Sequence, residues 1–218
     1  MDHQKRYILQ QRDLNEALPY IVRHGACNDG QLARDVYGSV AVAERRRRAL
    51  ASHRLVKTIQ GPGGQLVSVT TGRGAERSGT ELGPMPLALA PLLQLEHTLS
   101  LVDLAAYLVA TEGVLYSTER EYRRMRRLGR VSEDVPIPDL VIRSTAWAGD
   151  VFVEFEASAK TTSRYRAILS RYAMNRQPVR FYCLKAGART RLQVLIGEMG
   201  LGRLASAFLW NAAEEVAS

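Results

Sequence analysis

The feature that most constrains this chain is a change of period at Leu55. From Asp13 to about His53 the apolar side chains recur at helical spacing. From Leu55 they alternate, through Leu55–Gln60 and again through Gln65–Thr70, around the loop Gly61-Pro62-Gly63-Gly64. Alternation on both sides of a Gly/Pro-rich turn is the pattern of a β-hairpin, so helices come first and a hairpin follows. Asp13 is expected to cap a helix carrying Leu14, Ala17, Leu18, Ile21 and Val22, ended by Gly25. Asn28 caps a second helix with Leu32, Ala33 and Val36 inward, closed by Gly38. Ser39 opens a third, with Val40, Val42, Ala43, Ala49 and Leu50, that ends near His53.

Three helices and a hairpin in that order read as a winged helix-turn-helix. The third helix, the one that enters a major groove in that arrangement, carries Arg45, Arg46, Arg47 and Arg48 in succession. Several must project outward, and with Lys57 on the hairpin they are expected to contact DNA, double-stranded and mostly through phosphates. Protein docking is the alternative use of the same order. The charge balance agrees with a polyanionic partner: 30 Lys and Arg against 22 Asp and Glu give a formal net charge of +8. A membrane partner is not expected, because the longest apolar stretch, Leu82–Leu95, is cut by Pro84, Pro86 and Pro91. Met1–Arg6 has no apolar core behind it, so no signal peptide is expected. The two cysteines, Cys27 and Cys183, lack zinc-ligand spacing and fit reduced thiols in a cytoplasm.

Apolar periodicity lapses through Arg73–Pro84, where Gly, Pro and polar residues cluster, so a linker is placed there, dividing the chain into 1–83 and 84–218. The second part opens with a helix begun by Pro86–Pro91, apolar nearly all round from Leu92 to Val109 and stopped by Gly113. A short strand at Val114–Ser117 leads into Thr118–Arg127. Strands at Asp139–Arg143 and Val151–Glu156, a helix at Ser163–Ala173, a strand at Val179–Leu184 and a helix at Thr190–Met199 follow; Leu201–Val216 closes as a strand or a helix. Helices alternating with strands make this domain a mixed-sheet α/β unit, and the whole chain α+β.

Within it, the alternation of Val151–Glu156 puts Val151, Val153 and Phe155 on one face and Phe152, Glu154 and Glu156 on the other. Two carboxylates on one side of an otherwise apolar strand need a cation, a basic partner or a shared proton. Asp139, fifteen residues before Glu154 and on the neighbouring strand, would complete with Glu154 and Glu156 an oxygen set suited to Mg²⁺. The structural alternatives are a strand-edge cap for Asp139 and an exposed strand face for the two glutamates. Arg120, Arg123, Arg124, Arg126, Arg127 and Arg130 form the densest positive charge of this domain and would draw a phosphate backbone toward the carboxylates. Glu119 could be a further metal ligand, but pairing with Arg123, four residues along a helix, is the preferred expectation. Arg164, Tyr165, Arg171 and Tyr172 offer basic and aromatic surface, although the tyrosines suit core packing equally. No phosphate-binding GxxxxGK[ST] loop is present, and the four scattered histidines support neither a nickase pocket nor a Ser-His-Asp triad.

Pro138-Asp139 followed by Glu154-x-Glu156 and Lys160 resembles the restriction-endonuclease-like PD-(D/E)XK superfamily. That resemblance implies that Asp139 and Glu154 hold Mg²⁺ and that a lysine orients the attacking water. Glu156 stands where the lysine usually lies, so Lys160 is the substitute. With the winged helix, the chain is also similar to the replication-relaxation family of plasmids and integrative elements, through Thr118–Glu121, Ile137–Val141 and Val153–Thr161 on to Arg164, Tyr165 and Tyr172. This implies DNA binding in replication, relaxation or conjugative transfer, with a homodimer and relaxosome or replication proteins as partners. A Mg²⁺-dependent endonuclease with Asp139, Glu154, Glu156 and Lys160 as catalytic residues is the alternative, and a transcriptional regulator with a dimerisation domain is a second.

Overall fold

Capping fixes the first helices. In the computed structural model, which describes residues 8–85, 92–147 and 149–211, Asn28 accepts from the Gln31 N–H while the Gln31 side chain accepts from the Asn28 N–H. That reciprocal pair starts α2 (Asp29–Leu32), and Gly38, at φ 78°, ends the wider turn Ala33–Tyr37 that continues it. Asp13 does not cap. It lies in a wide turn, Asp13–Ala17, that runs directly into α1 (Leu18–His24), with its side chain wholly buried. α3 (Val40–Ser52) starts after Ser39 and ends in a Schellman turn, with Leu55 N–H bonding Leu50 C=O and Arg54 N–H bonding Ala51 C=O.

The hairpin forms as its alternation dictates: β2 (Val56–Gln60) and β3 (Leu66–Thr70) pair antiparallel, Val56 opposite Thr70 and Gln60 opposite Leu66. A strand too short for its period to show in sequence, β1 (Ala26–Asn28), adds to β3, giving the order β1-β3-β2. The result is the helix, strand, helix, helix, strand, wing, strand order of a winged helix-turn-helix. Ala17, Leu18, Ile21, Leu32, Val36, Ala43 and Leu50 fill its centre.

The stretch read as a linker contains a further helix, α4 (Gly72–Arg77), capped by Thr71 and packed through Ala75 on Val22 and Leu82. Contacts divide the chain into Met1–Val102 and Asp103–Ser218 rather than at 83/84. The division falls inside α5 (Leu92–Glu112), because Leu95 and Leu99 belong to the core of Ala26, Val67 and Val69, and Gln31 donates to the Leu99 carbonyl at 2.8 Å. The helix start expected at Pro86–Pro91 lies outside the described residues.

The second unit is built on five strands: β4 (Leu115–Thr118), β5 (Leu140–Arg143), β6 (Val151–Glu156), β7 (Val179–Cys183) and β8 (Ala205–Leu209), in the order β4-β5-β6-β7-β8. The first three run antiparallel and the last three parallel, so the sheet is mixed. One face carries Val141, Phe152, Val179, Phe181, Cys183 and Ala207 under α6 (Glu119–Arg127), α7 (Thr162–Met174) and α8 (Ala186–Glu198). The other meets α5, where the Tyr107 ring lies 5.1 Å from that of Trp210 and Glu112 pairs with Arg180 at 2.7 Å. The expected order of helix, strands, helix and strand is present, with α8 starting earlier than expected. Of the closing segment, 205–209 is strand, and 212–216 lies outside the described residues.

Candidate nucleic-acid interface and carboxylate centre

In the first unit, the arginine run splits two and two. Arg46 and Arg47 are each 5% exposed. Arg46 forms an ion pair with buried Asp13, which also accepts from the Tyr37 hydroxyl at 2.8 Å and the Gln10 N–H at 2.7 Å. Burial alone would raise the Asp13 carboxyl, but the bonds from Arg46, Gln10 and Tyr37 outweigh it and hold the group below its ordinary range. Arg47 grips Asp29 through Nε at 2.9 Å and reaches Thr58 Oγ1. Neither can neutralise a DNA phosphate in this fold, which corrects the expectation for half of the run. Their partners lie 33 and 18 residues upstream, a distance over which sequence spacing carries no signal.

Arg45 and Arg48 do face solvent. With Ala41 and Ser52 they form an exposed line at helical spacing along α3, and Arg48 is linked to Glu44 at 3.1 Å. Among the described residues, the side chains of Arg45 and exposed Lys57 make no hydrogen bond or ion pair.

In the second unit, Asp139 immediately precedes β5, whose Leu140 lies opposite Val153, and its charge acts on the Glu154 carboxyl of β6. The Asp139 N–H donates to Val153 C=O at 3.1 Å, and the Phe155 N–H in turn donates to Asp139 Oδ2 at 2.7 Å, which ties Asp139 to β6. The expected alternation holds: Phe152, Glu154 and Glu156 share the face that turns toward α7. Tyr172 of α7 donates to Glu154, and Lys160 binds Glu156 as an ion pair. Burial, the Asp139 charge and Glu156 push the Glu154 carboxyl up to about 8 against the pull of the Tyr172 hydroxyl and Lys160. Burial likewise raises Glu156, which is only 1% exposed, against the pull of Lys160. The exposed-strand alternative for these glutamates is thereby removed.

Glu156 is engaged by Lys160 in an ion pair and also feels the Asp139 charge; no group of three or more His, Cys, Asp or Glu is set to hold a metal ion among the described residues. Tyr165 and Tyr172 are core residues, fully or nearly buried, so they offer no ring for base stacking. Their hydroxyls serve the centre: Tyr165 accepts the Lys160 N–H at 3.2 Å, and Arg191 of α8 fixes the Lys160 carbonyl at 2.7 Å. The spacing of seven between the tyrosines, two helical turns, was the sequence signal for their burial; nothing in the sequence marked the role of their hydroxyls or of Arg191.

The arginines of α6 divide as well. Glu119 and Arg123 pair as expected, at 2.7 Å. Arg120, Arg124 and Arg126 are partly buried, Arg126 donating to the Val135 carbonyl, and desolvation lowers Arg120. Arg123, Arg127, Arg130 and, on α7, Arg164 and Arg171 are exposed. Comparisons with protein-family models, curated proteins and solved structures return no match.

Proposed function

We propose that this chain is a DNA-binding protein that engages duplex DNA through α3 and the wing, in the plasmid replication, relaxation or transfer setting that its motifs resemble. The observation that carries the reading is the outward line of Arg45 and Arg48 on the second helix of a helix-turn-helix, flanked by Lys57 on β2. Arg46 and Arg47 act beneath it by locking α3 to the rest of its unit. Fluorescence anisotropy with a labelled duplex tests this: Arg45→Ala/Arg48→Ala should weaken binding more than tenfold, and unchanged affinity would remove α3 as the DNA-contacting element.

A second reading, a Mg²⁺-dependent endonuclease, is favoured by the interacting carboxylates of Asp139 and Glu154. Two partly buried carboxylates whose charges disfavour each other suit a hard cation that takes its remaining oxygens from water and phosphate. Asp139 and Glu154 would hold the ion, which when bound polarises a phosphodiester and activates water. Tyr172 orients Glu154, and Glu156 with Tyr165 and Arg191 keeps the Lys160 ammonium beside the pair. Supercoiled DNA incubated with Mg²⁺ or Mn²⁺ should be nicked by the native protein and not by Asp139→Ala. DNA left intact by both would leave binding alone.

A further inference from the structure

The first unit also holds a cavity of about 550 Å³ that the DNA reading does not use, lined by Leu9, His53, Leu55, Arg73, Glu76 and Arg77. Arg73 and Arg77 stand four apart on α4, on one side of that short helix. Among the described residues, neither side chain makes a hydrogen bond or an ion pair. They contrast with Arg34, Arg46, Arg47 and Arg48 of the same unit, each held by a carboxylate. Among the described residues, two guanidinium groups without an ion-pair partner thus line one concavity, with the His53 imidazole at the end of α3, apolar Leu9 and Leu55, and one carboxylate, Glu76.

We propose that this cavity binds a small organic anion, a phosphate or carboxylate head joined to an apolar body. The two guanidinium forks supply planar, bidentate donors for the head, which an ammonium does not. Leu9 and Leu55 supply apolar contact for the body, and the volume lies within the range of small-molecule sites. Glu76 opposes the head by charge, so it sets an upper bound on affinity rather than contributing to it. The proposal is independent of DNA binding, because the cavity residues are not those of the exposed α3 line.

Phenyl phosphate, which joins both features, is the probe. Calorimetry on the full chain in a buffer free of other oxyanions should show saturable one-to-one binding, with inorganic phosphate bound several-fold more weakly for want of the ring. Arg73→Ala and Arg77→Ala should each weaken phenyl phosphate by about tenfold, the worth of a charge-assisted hydrogen bond. Glu76→Gln should tighten it several-fold, and Arg45→Ala should leave it unchanged. Arg73, Glu76 and Arg77 are exposed, so these variants should fold, which the thermal transition verifies. Absence of saturable binding, equal weakening by Arg45→Ala, or no gain with Glu76→Gln would each overturn the proposal.

Discussion

Asp13 and Arg46 show how one buried pair decides what a basic run can do. Removing the carboxylate leaves a guanidinium in the core with its main partner gone, a change that costs roughly 3–5 kcal/mol in buried pairs. Asp13→Ala should therefore lower the unfolding midpoint in urea sharply, whereas Arg45→Ala on the solvent side of the same helix should change stability by no more than about 0.5 kcal/mol. His24 gives a second test. Burial, then the neighbouring Arg23 charge, lowers its imidazole from 6.5 to about 3. The unfolded chain therefore binds a proton that the folded chain refuses between those values, and stability falls as pH drops from about 6.5 toward 3. His24→Gln should flatten that part of the thermal-stability profile; an unchanged slope would mean that other groups carry it. At the carboxylate centre, Asp139, Glu154, Glu156 and Lys160 were legible from their pattern. Which carboxylate Lys160 takes was not, because that depends on the path of 157–161, fixed by Tyr165 and Arg191.

At the scale of elements, α4 illustrates the limit of local propensity. Two glycines in six residues argue against a helix, and the segment reads as a linker. Packing reverses this at Gly74, where an added Cβ would sit 1.9 Å from the Leu55 carbonyl oxygen. Gly74→Ala, favourable in a free helix, should here destabilise by a few kcal/mol in thermal unfolding, because backbone must move to admit the methyl. The end of α7 makes the opposite prediction. Arg176 holds φ at 50° in a Schellman turn, with its N–H on Ala173 and the Gln177 N–H on Tyr172. Arg176→Gly relieves that left-handed strain and should raise stability by about 0.5–1 kcal/mol. Strong local signals, the Asn28 cap and the hairpin alternation, placed their elements closely. β1 escaped notice because three residues cannot display a period.

For the whole molecule, the net charge of +8 is an excess that the fold sorts into uses. Arg46, Arg47, Arg143, Lys160 and Arg180 are held in ion pairs within the chain, while Arg45, Lys57, Arg127 and Arg130 remain at the surface. If DNA is the partner, log affinity should fall linearly with log salt, and Arg45→Ala/Arg48→Ala should reduce the slope by about 0.9 for each phosphate that is no longer neutralised. A slope unchanged in the double variant would move the DNA-binding surface away from α3. The sequence by itself determined the α+β class, the winged order and the shared face of Glu154 and Glu156, since each follows from periodicity along a few residues. Only the tertiary structure decided which arginines face water, where one unit ends within α5, and which cation or hydroxyl each buried carboxylate receives. These depend on partners far apart in the chain, selected by the cost of leaving a charge unpaired in the core.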